Sequence, residues 1–343
     1  MSLDLKVSFV IPAYNAEKTI NECLINVIRE SDNFSSEIIV IDDCSSDDTI
    51  KIVKKFSNVK NYTLRKNSGV GYARNVGSRL AKNDILCYVD SDLIISKNSV
   101  QELVKKLITD DKIGSVGAIP ESVTLTKNSW SSKFVGLRSA FGFEDVIDEV
   151  EVSDAQSEFF VIYNDFLKKI GGWKYYRNAG GEEYELGHRI VFFNKKNLKI
   201  KHATYKTYWS NISTRFTKNI DRTEKYIQIF VKRKKFDSKG SGATSGHAIS
   251  ALLTSFLCLN VILLIIIENS VNLINSFLIL LLLQIFLEFK FLIFAKNKQG
   301  LKMFFYAILG IQILNIGILL GGLFFLYNLT FNYFKSIFNI SSK

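Results

Sequence analysis

Asp90-Ser91-Asp92 sets two carboxylates at i and i+2 directly after the apolar run 85–89. On a bending strand end both can reach one divalent ion or the water around it. Mg²⁺ takes one or two carboxylates together with ligand phosphate oxygens, which is the chemistry of a bound diphosphate. The plainer reading is an N-cap pair for a following helix. Asp42 and Asp43 close the run 38–41 in the same way, and Pro12, Tyr14 and Asn15 follow the run 7–11. One acidic strand end is usually a cap or a turn. Two strands ending in paired acids on one edge repel unless a cation or a donor-rich ligand sits between them. Further on, a glycine pair bends the chain into Glu182-Glu183, with carboxylates on the first turn of a helix. They either compensate the helix dipole, worth about 0.3–1 kcal/mol, or hold a general base against an acceptor.

The run Gly69-Val70-Gly71-Tyr72-Ala73-Arg74-Asn75-Val76-Gly77 does not satisfy the dinucleotide fingerprint. Arg74 stands where its third glycine belongs, and the run does not open at the first strand. It reads as a turn into a helix whose N-terminus and Arg74 face phosphate, because backbone N–H groups and a guanidinium both suit an anion.

These residues need elements to hold them. The apolar, β-branched runs 7–11, 38–41 and 85–89 alternate with helical periodicity. Ile20, Leu24, Val27 and Ile28 share a helical face, and further helices are expected near 49–56 and 71–80. Short strands without polar alternation, separated by helices, predict an α/β fold with a mostly parallel sheet covered on both faces. In such a sheet ligands bind beyond the carboxyl ends of the strands.

The remainder of the chain is of another kind. Its 343 residues carry a net charge of +11 and are 47% hydrophobic, which excludes a disordered chain and a small stapled one. No Asp, Glu, Lys or Arg occurs in 240–267, 269–287 or 303–334. A bilayer core of roughly 30 Å needs about 20 residues, so three spans are expected at about 247–267, 271–294 and 304–330. Gln284, Glu288 and Lys290 near one end of the second are read as interfacial snorkelling or as a grip on a lipid head group. Little polarity inside the spans leaves no evident transport pathway. Lysines between 296 and 302, against none in 268–270, put residues 1–240 in the cytoplasm and the C-terminus outside. No signal peptide contradicts this, since the first apolar run is only five residues long. Residues 215–239 hold nine Lys or Arg and three Asp or Glu. Directly before a span, such a segment favours anionic lipid, and without a nucleic-acid motif no nucleic-acid partner is expected. Cys23, Cys44, Cys87 and Cys258 show no paired spacing and read as buried thiols in a reducing compartment. The expected organisation is 1–210 catalytic, 211–245 a basic amphipathic juxtamembrane segment, 246–334 the three spans, and 335–343 a short tail.

Taken in order, the segment 9–15, Ile41-Asp42-Asp43-Cys44-Ser45-Ser46-Asp47-Asp48-Thr49, the segment 67–75, Asp90-Ser91-Asp92 and the segment 171–189 resemble the family 2 glycosyltransferases, over about residues 5–205. The resemblance implies a Rossmann-like domain of the GT-A type and an inverting transfer from a nucleotide-sugar, with a UDP-sugar the first expectation. It implies that Asp90 and Asp92 hold a metal diphosphate (Mg²⁺ or Mn²⁺) and that Glu183, beside Glu182, is the catalytic base. Asp42 or Asp43 would meet the base or ribose and Arg74 the donor. Pro12, Tyr14, Asn15, Gly69, Asn75, Ser91 and Trp173 would complete the substrate-binding set. The family's acidic pair is usually Glu-Asp, whereas this chain has Glu-Glu. Where relatives often place a metal-facing histidine it reads Lys206-Thr207-Tyr208-Trp209-Ser210, with His202 nearby but early. The Gln-x-x-Arg-Trp mark of processive synthases is absent, which favours single-sugar addition.

The resulting expectation is a multi-pass membrane glycosyltransferase, facing the cytoplasm and serving cell-envelope polysaccharide synthesis. It would add one sugar to a hydroxyl of a lipid-linked saccharide or glycolipid. A polyprenyl-phosphate acceptor is the alternative, since a phosphate already anionic needs no base. A catalytically silent nucleotide-binding scaffold is the second alternative, and a transporter the third.

Overall fold

The computed structural model describes residues 5–126, 129–153, 158–174, 181–233, 245–267 and 270–337. In chain order the elements are β1 (Lys6–Ala13), α1 (Ile20–Ser31), β2 (Ser35–Asp42), α2 (Thr49–Val53), β3 (Val59–Thr63), α3 (Val70–Leu80), β4 (Ile85–Val89), β5 (Leu93–Ile95), α4 (Ser99–Leu107), β6 (Ile113–Thr124), α5 (Trp130–Phe141), β7 (Glu149–Val152), β8 (Phe159–Tyr163), α6 (Asn164–Lys169), α7 (Glu182–Phe192), β9 (Lys196–Thr207), α8 (Ile212–Arg233), α9 (Ser245–Ile266), α10 (Val271–Gln299) and α11 (Leu301–Ile337). The chain forms two compact units, residues 1–127 with 142–208, and residues 128–141 with 209–343.

The first unit is built on a nine-stranded sheet of order β3-β2-β1-β4-β8-β6-β9-β5, with β7 also paired to β9. The expected parallel arrangement holds for β3-β2-β1-β4. Beyond β4 the sheet is mixed: β8 is antiparallel to both β4 and β6, β6 is parallel to β9, and β5 and β7 run antiparallel to β9. The first strands lack polar alternation because both faces are buried. Phe9 and Ile11 point into one layer with Ile20, Leu24 and Val27 of α1. Val10 points into the other with Tyr88, Phe160, Leu186 and Ile190. Ile20, Cys23, Leu24 and Val27 lie on one stripe of α1, the spacing that a sheet-covering helix requires. Each such side chain, fully buried, contributes about 1.5–3 kcal/mol.

The position of α3 depends on missing side chains. A Cβ at Gly77 would lie 2.3 Å from Val10 Cγ1, and one at Gly71 would lie 2.9 Å from the Lys174 carbonyl oxygen. Gly69, at φ 87°, makes the turn into the helix. Gly71 and Gly77 thus serve close packing, and Gly69 the turn.

The second unit consists of α5 and α8–α11. Three of its helices are long and apolar enough to cross a membrane: Ser245–Ile266, Val271–Gln299 and Leu301–Phe331. The few polar residues of these helices meet one another. Gln284 Nε2 donates to Thr254 Oγ1 at 2.8 Å, Gln312 Nε2 to Gln284 Oε1 at 2.6 Å, and Asn315 Nδ2 to Ser250 Oγ at 2.9 Å. Helices that look nearly apolar in sequence thus share a polar centre of mutual hydrogen bonds, a common form of glue between apolar helices.

Glu288 neither snorkels nor stands open to a head group. It is 6% exposed and receives Arg138 of α5 in a two-point ion pair, 2.7 and 3.0 Å, with the guanidinium stacked 4.7 Å from the Phe291 ring centroid. The basic helix α8 packs along α11. A Cβ at Gly321 would come within 2.5 Å of the Ile220 carbonyl oxygen, and one at Gly317 within 3.0 Å of that of Phe216. This is the close backbone approach that a G-x-x-x-G spacing permits.

Gly77→Ala is expected to lower stability by about 1–3 kcal/mol through overpacking against Val10. Gly322→Ala, whose added Cβ would meet nothing nearer than 3.9 Å, leaves the melting temperature in detergent unchanged. Thermal unfolding of the two variants beside wild type checks both.

Candidate active site

In a parallel sheet the strands β1, β2 and β4 end on one edge, and there the polar residues gather. Asn15, at φ 49°, follows β1. Its N–H donates to Ser45 Oγ at 2.9 Å, and its Oδ1 accepts from the Ser46 N–H at 2.9 Å. Asp42 Oδ1 accepts from the Ser45 N–H at 3.2 Å. Asp43 accepts from the N–H groups of Ser68 and Gly69 at 2.7 and 2.8 Å, tying the end of β2 to the turn into α3. Both aspartates are buried. Pro12 is buried at the end of β1, and Tyr14 stands on the rim, 50% exposed. Against the expectation of four buried thiols, Cys44 is exposed, at φ 65°, and Cys258 is half-buried; Cys23 and Cys87 are buried.

The centre of the edge is Arg74, 1% exposed. Its Nη2 donates to Asp90 Oδ1 at 2.7 Å, and its Nη1 lies 3.9 Å from Glu182 Oε1. The guanidinium sits 4.7 Å from the Trp173 ring centroid, a cation–π contact. Arg74, expected to face phosphate, lies as a buried cation between α3, the end of β4 and the first turn of α7. Trp173, expected to meet substrate, is a core residue at 3% exposure, packed edge-on against Tyr88 and Phe160. Asn75 grips the Trp173 backbone from both sides: Nδ2 donates to its carbonyl oxygen at 2.7 Å, and Oδ1 accepts from its N–H at 2.8 Å. Gly172, at φ 67°, leaves room for that grip, since a Cβ there would lie 2.7 Å from Asn75 Oδ1. Arg189 of α7 donates to the carbonyl oxygens of Ile170 and Gly172 and pairs with Glu185, fixing the same loop from below.

Glu182 and Glu183 are both buried on the first turn of α7, after Gly181 at φ 99°. Glu183 Oε2 accepts from the Gly181 N–H at 3.1 Å. Between this turn and Trp173, residues 175–180 lie outside the described residues. Ser91 and Asp92 are half-buried, one and two residues past Asp90. His202 is on the exposed side of β9, 3.7 Å from Asp148. Two residues near Asp90 and Asp92 escape the sequence reading: Glu158, just before β8, and Tyr205 of β9, whose hydroxyl donates to Glu158. The one local signal is an acid abutting the apolar run 159–162.

Burial, together with the charges of Asp92 and Glu158, raises the Asp90 carboxyl to about 7 even though Arg74 opposes the shift. Burial works against the Arg74 charge, and Asp90, with Glu182 and Glu183, raises its pKa back above the ordinary value. Among the described residues no three His, Cys, Asp or Glu side chains form a ready-made metal cage. Asp90 and Asp92 nevertheless suit a divalent ion that keeps water and phosphate oxygens as its other ligands. They are hard oxygen donors, and their mutual repulsion is what a cation would relieve.

Residues 8–171 match the model of Glycosyl transferase family 2, so Glu182 and Glu183 lie beyond the matched stretch. The chain is 38% identical over 104 residues to poly(ribitol-phosphate) beta-N-acetylglucosaminyltransferase TarS of Staphylococcus aureus, covering 29% of this chain and 18% of that protein. It is 28% identical over 251 residues to the probable glycosyltransferase YdaM of Bacillus subtilis, covering 67% of this chain and 59% of that one. It thus spans about a fifth and about three fifths of these relatives' lengths. In fold it is similar to the mannosyltransferase PcManGT from Pyrobaculum calidifontis, solved with GDP-Man and Mn²⁺. The TM-score is 0.53 at 16% identity, over 94% of this chain and 87% of that one.

An acid whose pKa is raised on folding favours the native state below its unfolded value, and that stability is lost as pH rises through the folded value. Without metal, the melting temperature is therefore expected to fall between pH 4 and about 7 by more in wild type than in Asp90→Asn. Scans in EDTA across that range check it, and parallel curves for the two proteins would contradict it.

Proposed function

We propose that the protein, whose residues 8–171 match the model of Glycosyl transferase family 2, is an inverting enzyme using a nucleotide-diphosphate sugar. In this reading it transfers one sugar to a hydroxyl of a lipid-linked saccharide or glycolipid at the cytoplasmic membrane face. The observation that carries the reading is the buried connection Asp90–Arg74–Glu182. It links the acid pair suited to a metal diphosphate with the acids suited to an acceptor, through one fixed cation. The GDP-Man and Mn²⁺ bound to the mannosyltransferase of similar fold support a nucleotide-sugar donor and a divalent ion here. A lipid-linked acceptor is supported by the three long apolar helices of the same chain.

Each residue then has a task. The loops after β1 and β2, stitched through Asn15, Asp42 and Asp43, form the nucleotide side, with Tyr14 exposed on its rim. Asp90 and Asp92 would hold Mg²⁺ or Mn²⁺, which when bound neutralises the charge growing on the leaving diphosphate. Arg74 keeps Asp90 in place and Trp173 buttresses Arg74. Glu183 takes the proton from the acceptor hydroxyl as the oxygen attacks the anomeric carbon from the side opposite the diphosphate, and this single displacement inverts the centre. Glu182, directed toward Arg74, orients that turn.

Glu183→Gln is expected to reduce turnover by about 10²–10⁴-fold while donor binding is retained, and the product should carry the inverted anomeric configuration by NMR. Unchanged turnover would remove Glu183 as the base. Product formed with polyprenyl phosphate alone would replace the hydroxyl acceptor with a phosphate.

A further inference from the structure

The β4–β8 ladder is antiparallel and pairs Val89 with Phe159. One residue further on, the Asp90 N–H donates to the Glu158 carbonyl oxygen at 2.8 Å, so Glu158 stands directly opposite Asp90. Like charges facing each other across a ladder are destabilising, and a neutral side chain would serve the strand better. The carboxylate is also held deliberately. Tyr205, 1% exposed on β9, gives its hydroxyl hydrogen bond to Glu158. Two residues along the same strand, Thr207 Oγ1 donates to the Asp92 carbonyl oxygen at 3.3 Å. Strand β9, with no acid of its own at these positions, thus holds the Glu158 carboxylate and the backbone at Asp92.

We propose that Glu158, oriented by Tyr205, is a positioning residue of the metal site, accepting hydrogen bonds from water on a divalent ion held by Asp90 and Asp92. This rests on the metal-dependent reading above and extends it to two residues outside the acid motif. Mg²⁺ gives up water reluctantly and keeps several waters when bound. Outer-sphere acceptors that orient them typically change metal affinity by about 10–100-fold.

Glu158→Gln separates this role from a structural one, because the amide oxygen still accepts from Tyr205 while the charge facing Asp90 is gone. Mn²⁺ binding to the full-length protein in detergent is measured by electron paramagnetic resonance, beside melting temperature in EDTA. The variant is expected to bind Mn²⁺ about 10–100-fold more weakly and to melt in EDTA at or above the wild-type temperature. Tyr205→Phe, which frees the carboxylate but keeps it, shows a smaller loss of affinity. Wild-type affinity in Glu158→Gln overturns the proposal, as does a fall in affinity that only accompanies a lower melting temperature in EDTA. If wild type binds Mn²⁺ no better than Asp92→Ala, the metal reading itself fails and this proposal with it.

Discussion

A guanidinium withdrawn from water must be answered by anions, and Arg74 is almost wholly withdrawn. Its partners come from two elements far apart in sequence, Asp90 after β4 and Glu182 on α7. Removing one partner of a buried pair typically costs about 3–5 kcal/mol, because the other charge is left uncompensated. A penalty of this kind favours Asp90 and Glu182 staying beside Arg74. The indole of Trp173 under the guanidinium gives the cation a flat apolar floor.

Tight packing makes the cation's position possible. α3 approaches β1 closely because Gly77 has no side chain, and it meets the 172–174 backbone because Gly71 and Gly172 have none. Asn75, the next residue after Arg74, grips the backbone of the tryptophan that supports Arg74. One helix thus delivers both the cation and the clamp on its floor, and Arg189 anchors the same loop from α7. The fold spends its closest contacts where the acids must be held.

Much of this was legible in the residues. The runs 7–11, 38–41 and 85–89 announce buried parallel strands by lacking alternation, and the acids that follow them sit at one edge because parallel strands end together. The long charge-free stretches announce the apolar helices. What stayed hidden depends on pairing between distant segments. Nothing local reveals that Arg74 turns inward, that Glu158 faces Asp90 across β4 and β8, or that Arg138 meets Glu288 in a pair 150 residues apart in sequence. Register and long-range partners are properties of the folded sheet and bundle, and a motif scan reads only neighbours in sequence. Trp130–Phe141 is the clearest case: it lies within the stretch 1–210 expected to be catalytic, yet it forms α5 and belongs to the unit that contains the apolar helices.

In the proposed reading, a diphosphate is held through a cation at Asp90 and Asp92. Calorimetry of the detergent-solubilised protein with UDP, GDP, dTDP and CMP, each in Mn²⁺ or Mg²⁺ and then in EDTA, tests this directly beside Asp92→Ala. Binding of one nucleoside diphosphate that needs the metal and disappears in Asp92→Ala is the expected result. Binding that is indifferent to EDTA and to Asp92, or no binding under any condition, would contradict it.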